Sequence, residues 1–342
     1  MSATSRQLPL PTGLPLIGLY PAAYRAAHGE EIAAVFAESV EGAGRGTVLR
    51  EWAVLAAHAL RLRTGLSSRD RLGRVAAGAA PLMLAGGAAL ATVHLLLGLV
   101  LRQPFFADFA HPGVAIAVGA AQTLPWILAL SFAVAGHWPQ ARLLVLAGTL
   151  LRIGSAAAAL LVGYASFWQY VFLLPFWLVL GGVLLAAPPD AVDLSRRGRY
   201  GMALVAGAVA LPMITLVTLW PWPEPGLSVE AEFSGSVKVL LDVSTAWPAT
   251  VMCLVYLVRL GAARPDRLRA AGAAVAALPW TVMLSAPDYL IPPVPHAALR
   301  NLGVVVGLIG VCTAIDALRR AVAVRTGRTG GADRAAGVVE RV

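Results

Sequence analysis

The chain has 342 residues, of which 58% are hydrophobic and only 13% charged, with a mean hydropathy of +0.73 and a formal net charge of +9. A water-soluble domain carries about 25% charged residues, so this composition excludes a soluble globular protein with an ordinary polar surface. Apolar runs of about 20 residues recur instead, each long enough to cross the hydrocarbon core as a helix, and the chain reads as an all-α membrane protein.

In chain order, residues 8–20 (LPLPTGLPLIGLY) are apolar but interrupted by Pro9, Pro11 and Pro15. The run is too short to span, and no signal peptide is expected. Residues 1–74 read as a small cytoplasmic module of amphipathic helices. Pro21 suits the first turn of a short helix over 21–27, Gly29 is expected to break it, and Glu30 and Glu31 then favour the start of a second helix by complementing its dipole. Ile32, Val35, Phe36 and Val40 give that helix one apolar face. After the turn EGAGRG (41–46), a third helix is expected with Val48, Leu49, Trp52 and Leu55 on one side. So short a module supplies a modest core, which leaves it to contact a partner protein or the membrane surface.

Eight spans follow from the apolar runs, at roughly 76–101, 114–136, 143–163, 167–187, 200–220, 239–258, 270–290 and 301–318. They form a bundle over residues 75–318, followed by a basic tail, 319–342, expected to be disordered and to lie against anionic headgroups. Threading the chain through them places 23 of the 27 basic residues on the side of the N-terminus, and only Arg102, Lys238 and Arg300 on the other. Basic residues hold the cytoplasmic side of membrane proteins, so a cell-membrane protein with both termini in the cytoplasm is expected. Phe105, Phe106, Phe109, Tyr164, Phe167, Trp168, Trp220, Trp222 and Tyr289 gather near the opposite ends, where amphipathic rings favour the headgroup layer. Topology thus accounts for the arginines, and no nucleic-acid partner is expected.

Six spans carry an internal proline: Pro81, Pro125, Pro175, Pro212, Pro248 and Pro279. Each removes a backbone donor, with ordinary irregularity or a hinge as the two readings. A short echo, LPWILALS at 124–131 and LPWTVMLS at 278–285, falls in the second and seventh spans. A duplication of four spans would pair the second with the sixth, so the echo is expected to be coincidental.

Arg152 is the sharpest residue of the bundle, standing mid-span in LAGTLLRIGSAAAALL, where an arginine costs about 2.5–3.5 kcal/mol. Asp242 and Asp288 are its candidate partners, and the set reads either as an interhelical ion pair or as an anion or proton site. His94, His111 and His296, with Asp108 and Asp288 at similar depth, have no ligand spacing, and no metal site is expected. Leu227, Val229, Ala231 and Phe233 alternate with polar residues in the loop 221–238, a pattern of a short strand or an interfacial segment. Cys253 and Cys312 lie inside spans and read as packing residues. There is no P-loop, GxGxxG, HExxH, GxSxG or paired-cysteine motif, so neither an enzyme nor a cofactor is expected.

One segment carries a resemblance. YPAAYRAAHGEE at 20–31, followed by an IxxVF core and a tryptophan-bearing helix, resembles the N-terminal segment of a loose group of actinobacterial integral membrane proteins. These are often encoded beside PadR-type transcriptional regulators, and the segment is similar to one heading some permeases of the macrolide-exporter type. Tyr20, Pro21, Tyr24, Arg25, Gly29, Glu31 and Phe36 match, while His28 stands where the group more often has an aromatic residue. The Arg/Ala/Gly bias agrees with a GC-rich bacterial source. The resemblance covers about 45 of 342 residues and implies a regulatory role without enzyme chemistry. Two expectations result: a regulatory membrane protein whose head meets a partner through Tyr20, Pro21, Tyr24, Arg25, Gly29 and Glu31, or a transporter component using Arg152. Structural packing of Tyr20 and Tyr24, with an Arg25–Glu31 pair, is the plainer reading of the same motif.

Overall fold

A computed structural model describes residues 18–100, 112–162, 167–219, 238–262, 266–280 and 302–322. The regular structure among them is helical, without strands. The helices are α1 (Ala22–Val40), α2 (Arg45–Arg63), α3 (Arg71–Val100), α4 (Pro112–Val134), α5 (Trp138–Val162), α6 (Phe167–Ala186), α7 (Arg196–Leu219), α8 (Lys238–Leu260), α9 (Arg267–Ala277) and α10 (Leu302–Val322). The chain divides after Gly73 into two compact units.

The first unit is built on a hairpin of α1 and α2. Gly29 does not break α1, which runs unbroken from Ala22 to Val40. A glycine inside a helix costs about 1 kcal/mol relative to alanine, and the alanines and glutamates around it, with the packing of Phe36, outweigh that. Pro21 caps the helix start, its carbonyl accepting from the Arg25 N–H at 2.9 Å. Phe36 meets Trp52 edge-on at 5.3 Å, and Tyr20, Phe36, Val40 and Ala59 form the buried core. Val35 and Leu49, expected on packed faces, are instead 60% and 70% exposed. Gly65, at φ +67°, ends α2 in the left-handed conformation while the Leu66 N–H returns to the Arg61 carbonyl at 2.8 Å.

In the second unit, five helical segments are long and apolar enough to cross a membrane: Arg71–Leu96, Ala117–Val134, Trp138–Ala158, Arg196–Thr215 and Leu302–Val322. They coincide with the first, second, third, fifth and eighth expected spans. Two shorter apolar helices, Leu174–Ala186 and Trp247–Leu260, fall in the fourth and sixth. The seventh lies outside the described residues beyond Trp280, as does the alternating loop 227–234. The last helix continues to Val322, four residues into the segment expected to be a disordered tail, with an Arg320–Asp316 pair at 2.7 Å along it.

The bundle wraps around α3. Its apolar window is 78% buried, whereas the other four spanning segments bury only 11–28% of theirs. The sequence explains this, because α3 is lined with alanine and glycine and lets neighbours approach its backbone closely. A Cβ on Gly78 would lie 2.7 Å from the Arg269 carbonyl oxygen, and one on Gly272 would lie 2.5 Å from that of Val75, so α3 and α9 cross backbone to backbone. The other helices turn large apolar side chains outward, among them Leu143, Leu150, Leu204, Leu211, Leu254, Val258, Val304 and Leu318. Such a surface suits hydrocarbon rather than water.

Five of the six prolines, Pro81, Pro125, Pro175, Pro212 and Pro248, stand inside continuous helices. Pro212 shows how one gap is closed. It cannot donate to the Ala208 carbonyl, and the Trp247 indole N–H of α8 does so instead at 2.8 Å.

At one end of the bundle, arginines tie the helix termini together. Arg142 donates to the Leu185 carbonyl at the end of α6, and Arg199 to the Val134 carbonyl at the end of α4, at 3.4 Å. Arg259 reaches the carbonyls of Gly78 at 3.2 Å and Arg269 at 2.9 Å, and Arg269 reaches that of Ala191 at 3.2 Å. Asp266 caps α9, accepting from the N–H groups of Leu268 and Arg269, and takes both 3.1 Å bonds from Arg74. Arg142 and Arg199 thus place cations on carbonyls at helix C-termini, and Asp266 an anion on N–H groups at a helix N-terminus, each the sign the helix dipole favours.

Candidate functional site

Four helices of the second unit converge on Arg152. On α5, Gly148, Arg152 and Ser155 share one face at helical spacing. On α4, Gln122 and Trp126 do the same, α6 supplies Trp177, and α3 supplies Gly87 and His94. The Arg152 guanidinium lies over the Trp177 ring, 3.9 Å from its centroid. Such a contact is worth about 2 kcal/mol once water is removed, comparable to the cost of placing the cation there. Arg152 Nη2 also reaches toward the Gln122 carbonyl at 3.5 Å, the Gln122 amide donates to Ser155 Oγ at 2.9 Å, and that hydroxyl donates to the Arg152 carbonyl at 3.0 Å. The cation is therefore held by an aromatic face and a backbone carbonyl beside a polar thread of three side chains, Arg152, Gln122 and Ser155.

An aromatic chain extends from this point. Trp126 meets Trp177 at 4.7 Å, Trp177 meets Phe176 at 5.2 Å, and Phe176 meets Trp280 at 5.0 Å. The two tryptophans of the LPW echo lie on adjacent glycines of α3: a Cβ on Gly87 would stand 3.1 Å from Trp126, and one on Gly86 only 2.6 Å from Trp280. Both indole nitrogens are buried without a hydrogen-bond partner among the described residues. Shape therefore decides their placement, since an unmet buried donor costs about 1–3 kcal/mol.

Of the residues read from the sequence, Arg152 stands in this site, and His94 lies on α3. Asp242 lies in α8 but its side chain is outside the described residues, as are Asp288, Asp108, His111 and His296 altogether. Trp177 went unnoticed in the sequence reading because an aromatic residue in an apolar run carries no pattern of its own. Cys312 Sγ lies 3.7 Å from the Cys253 carbonyl, and both cysteines are buried and free.

The N-terminal motif divides in two. Tyr20, 2% exposed, stacks on Tyr24 at 5.6 Å, meets His58 of α2 at 5.8 Å, and directs its hydroxyl to the Leu55 carbonyl at 3.4 Å. Burial first, then the neighbouring Tyr24, raises its pKa, against a lowering by Arg61. Tyr24 meets His28 at 4.8 Å. Arg25, Glu30 and Glu31 are exposed, and Gly29 lies against the Arg25 side chain. Glu31 does not pair with Arg25. Its carboxylate instead lies 3.5 Å from His28 Nδ1, one turn away on the same helix.

Comparisons with known protein families, with curated proteins and with solved structures find no match to this chain.

Proposed function

We propose that the chain is a multi-pass protein of a bacterial cell membrane with a regulatory or accessory role. In this reading eight helices span the bilayer, both termini are cytoplasmic, and the head contacts a partner protein. The supporting observation is the division of labour within the motif. Tyr20, stacked on Tyr24, holds the hairpin's core while Arg25, Glu30 and Glu31 stand exposed on a compact unit that ends at Gly73. A charged, exposed face on a fixed core suits reversible contact with a soluble regulator. The reading includes no catalytic step, consistent with the absence of catalytic motifs. The test is the full-length protein carrying Arg25→Glu, Glu30→Lys and Glu31→Lys together. These exposed changes should leave its amount in the membrane intact and alter the transcripts of a small gene set. Transcripts identical to wild type would sink the proposal.

A second reading, a transporter or export component, draws on Arg152 and its contacts with Trp177 and Gln122. A cation at mid-span among polar side chains suits an anion or proton path. Arg152→Leu should then abolish export at normal protein levels, and unimpaired export would remove this reading.

A further inference from the structure

The exposed side of α2 has a pattern that the hairpin does not use. The helix buries Val48, Trp52, Leu55 and Ala59 toward α1 in whole or in part, which accounts for one face. A second apolar stripe runs along the opposite side through Gly46, Leu49, Ala53, Ala57 and Leu60, at the three- and four-residue steps of a helix. Leu49 is 70% exposed and Leu60 63%. Projected at about 100° per residue, Arg45 and Arg63 flank this stripe on one edge, and Arg50 and Arg61 flank it on the other. Arg63 also donates to the Gly18 carbonyl at 2.7 Å, and Arg61 is half-buried near Tyr20. The one acidic residue of α2, Glu51, lies on neither edge but toward α1. The two helices differ in charge: α1 carries Glu30, Glu31 and Glu38 against Arg25, while α2 carries four arginines against Glu51.

We infer that α2 lies on the bilayer surface, its Leu49–Leu60 stripe in the headgroup layer and its arginines on anionic lipid headgroups. An apolar strip bordered on both sides by arginines is the arrangement of an interfacial helix, in which long cationic side chains reach out to phosphates while their stems cover hydrocarbon. Chain length favours lipid over a soluble occupant. Only residues 64–70 separate α2 from α3, a reach of at most about 25 Å. Where α3 crosses a bilayer, α2 therefore meets that bilayer at high effective concentration. The acidic helix α1 is then turned to water, which is where the proposed partner contact needs it. The inference rests on the spanning of α3 but not on the regulatory role or on which leaflet the head faces.

The test uses the full chain, with Cys253 and Cys312 replaced by alanine, in nanodiscs of neutral phosphatidylcholine or of a phosphatidylcholine–phosphatidylglycerol mixture. Both leaflets of a disc have one composition, so sidedness does not enter. A nitroxide at Ala53→Cys should collide with oxygen more than with a water-soluble nickel chelate in the anionic discs, while one at the exposed Ala37→Cys of α1 should show the reverse. Removing charge with Arg45→Gln or Arg50→Gln should weaken docking about fivefold each, as should salt. Three results would overturn the inference: water access at position 53 in anionic discs, protection from both reagents there, or docking unchanged by the arginine substitutions. A failed transcript test with position 53 in lipid would remove only the regulatory reading.

Discussion

Arg152 illustrates what one residue can and cannot announce. Its cost was readable from the sequence, because an arginine among leucines and alanines must be stabilised by something. What stabilises it was not, since the expected carboxylates are long-range guesses and a π face is invisible in a linear string. The stacking on Trp177 leads to a measurable coupling. Trp177→Ala should lower the thermal midpoint of the detergent-solubilised protein more than Trp177→Phe does. Part of the alanine loss, about 1–2 kcal/mol of coupling, should disappear in an Arg152→Leu background. Equal losses in both backgrounds would mean that the ring contributes packing alone. Gly29 gives the opposite lesson. Its helix-breaking preference is about 1 kcal/mol, and a single core contact such as Phe36 on Trp52 exceeds it, so local preference lost to packing.

Among the elements, the proline-bearing helices were legible because length and apolarity outweigh one missing donor. The way each gap is closed depends on neighbours that only the fold supplies. For Pro212 the neighbour is Trp247, which sets up a mutant cycle. Trp247→Phe should cost about 1 kcal/mol through the lost hydrogen bond. In a Pro212→Ala background, where the helix regains its own donor to Ala208, the same change should cost little. The crossing of α3 and α9 is less tolerant. Gly272→Val would drive its side chain into the backbone of Val75 and Gly78, and backbone has nowhere to go. The expected outcome is loss of monodisperse protein on size-exclusion chromatography, whereas exposed Gly303→Val on α10 should elute as wild type. The alanine-and-glycine character of α3 was plain in the sequence. Its consequence, that α3 is the most enclosed of the five described spanning segments, needed the partners in place.

For the whole bundle, the arginine count was read as a signature of topology, and the structure adds a mechanical role. Arg142 and Arg199 bind carbonyls at the ends of α6 and α4, while Arg259 and Arg269 reach carbonyls of α3, of α9 and of the segment after α6. Counting charges sorts residues by side but does not say which carbonyl each would find. The associated carboxylates make this end sensitive to acid. The Ser195 hydroxyl holds Asp193 below the usual carboxylate range, with further help from the Ser195 N–H, Arg269 and Arg259 against a smaller effect of burial. For Asp266, burial pushes the pKa upward but is outweighed by the Arg269 N–H, by Arg74 and by the Leu268 N–H. Both depressed groups contribute stability that is present above the unfolded carboxylate pKa of about 3.9 and lost as pH falls through their folded values. Thermal midpoints should therefore drop below about pH 4, and Asp266→Asn should flatten that drop while lowering the midpoint at neutral pH. The exposed Arg74–Asp266 pair itself adds about 1 kcal/mol at most.

The embrace of Gly78 by Gly272 also has a temporal side. During synthesis α3 leaves the ribosome long before α9, so the strip of α3 that meets Gly272 waits bare until α9 follows. A product cut short before residue 272 would carry that strip permanently uncovered, a recognisable defect for membrane proteases. The fate of the nascent protein thus waits on the arrival of a few small residues far downstream of the helix they cover.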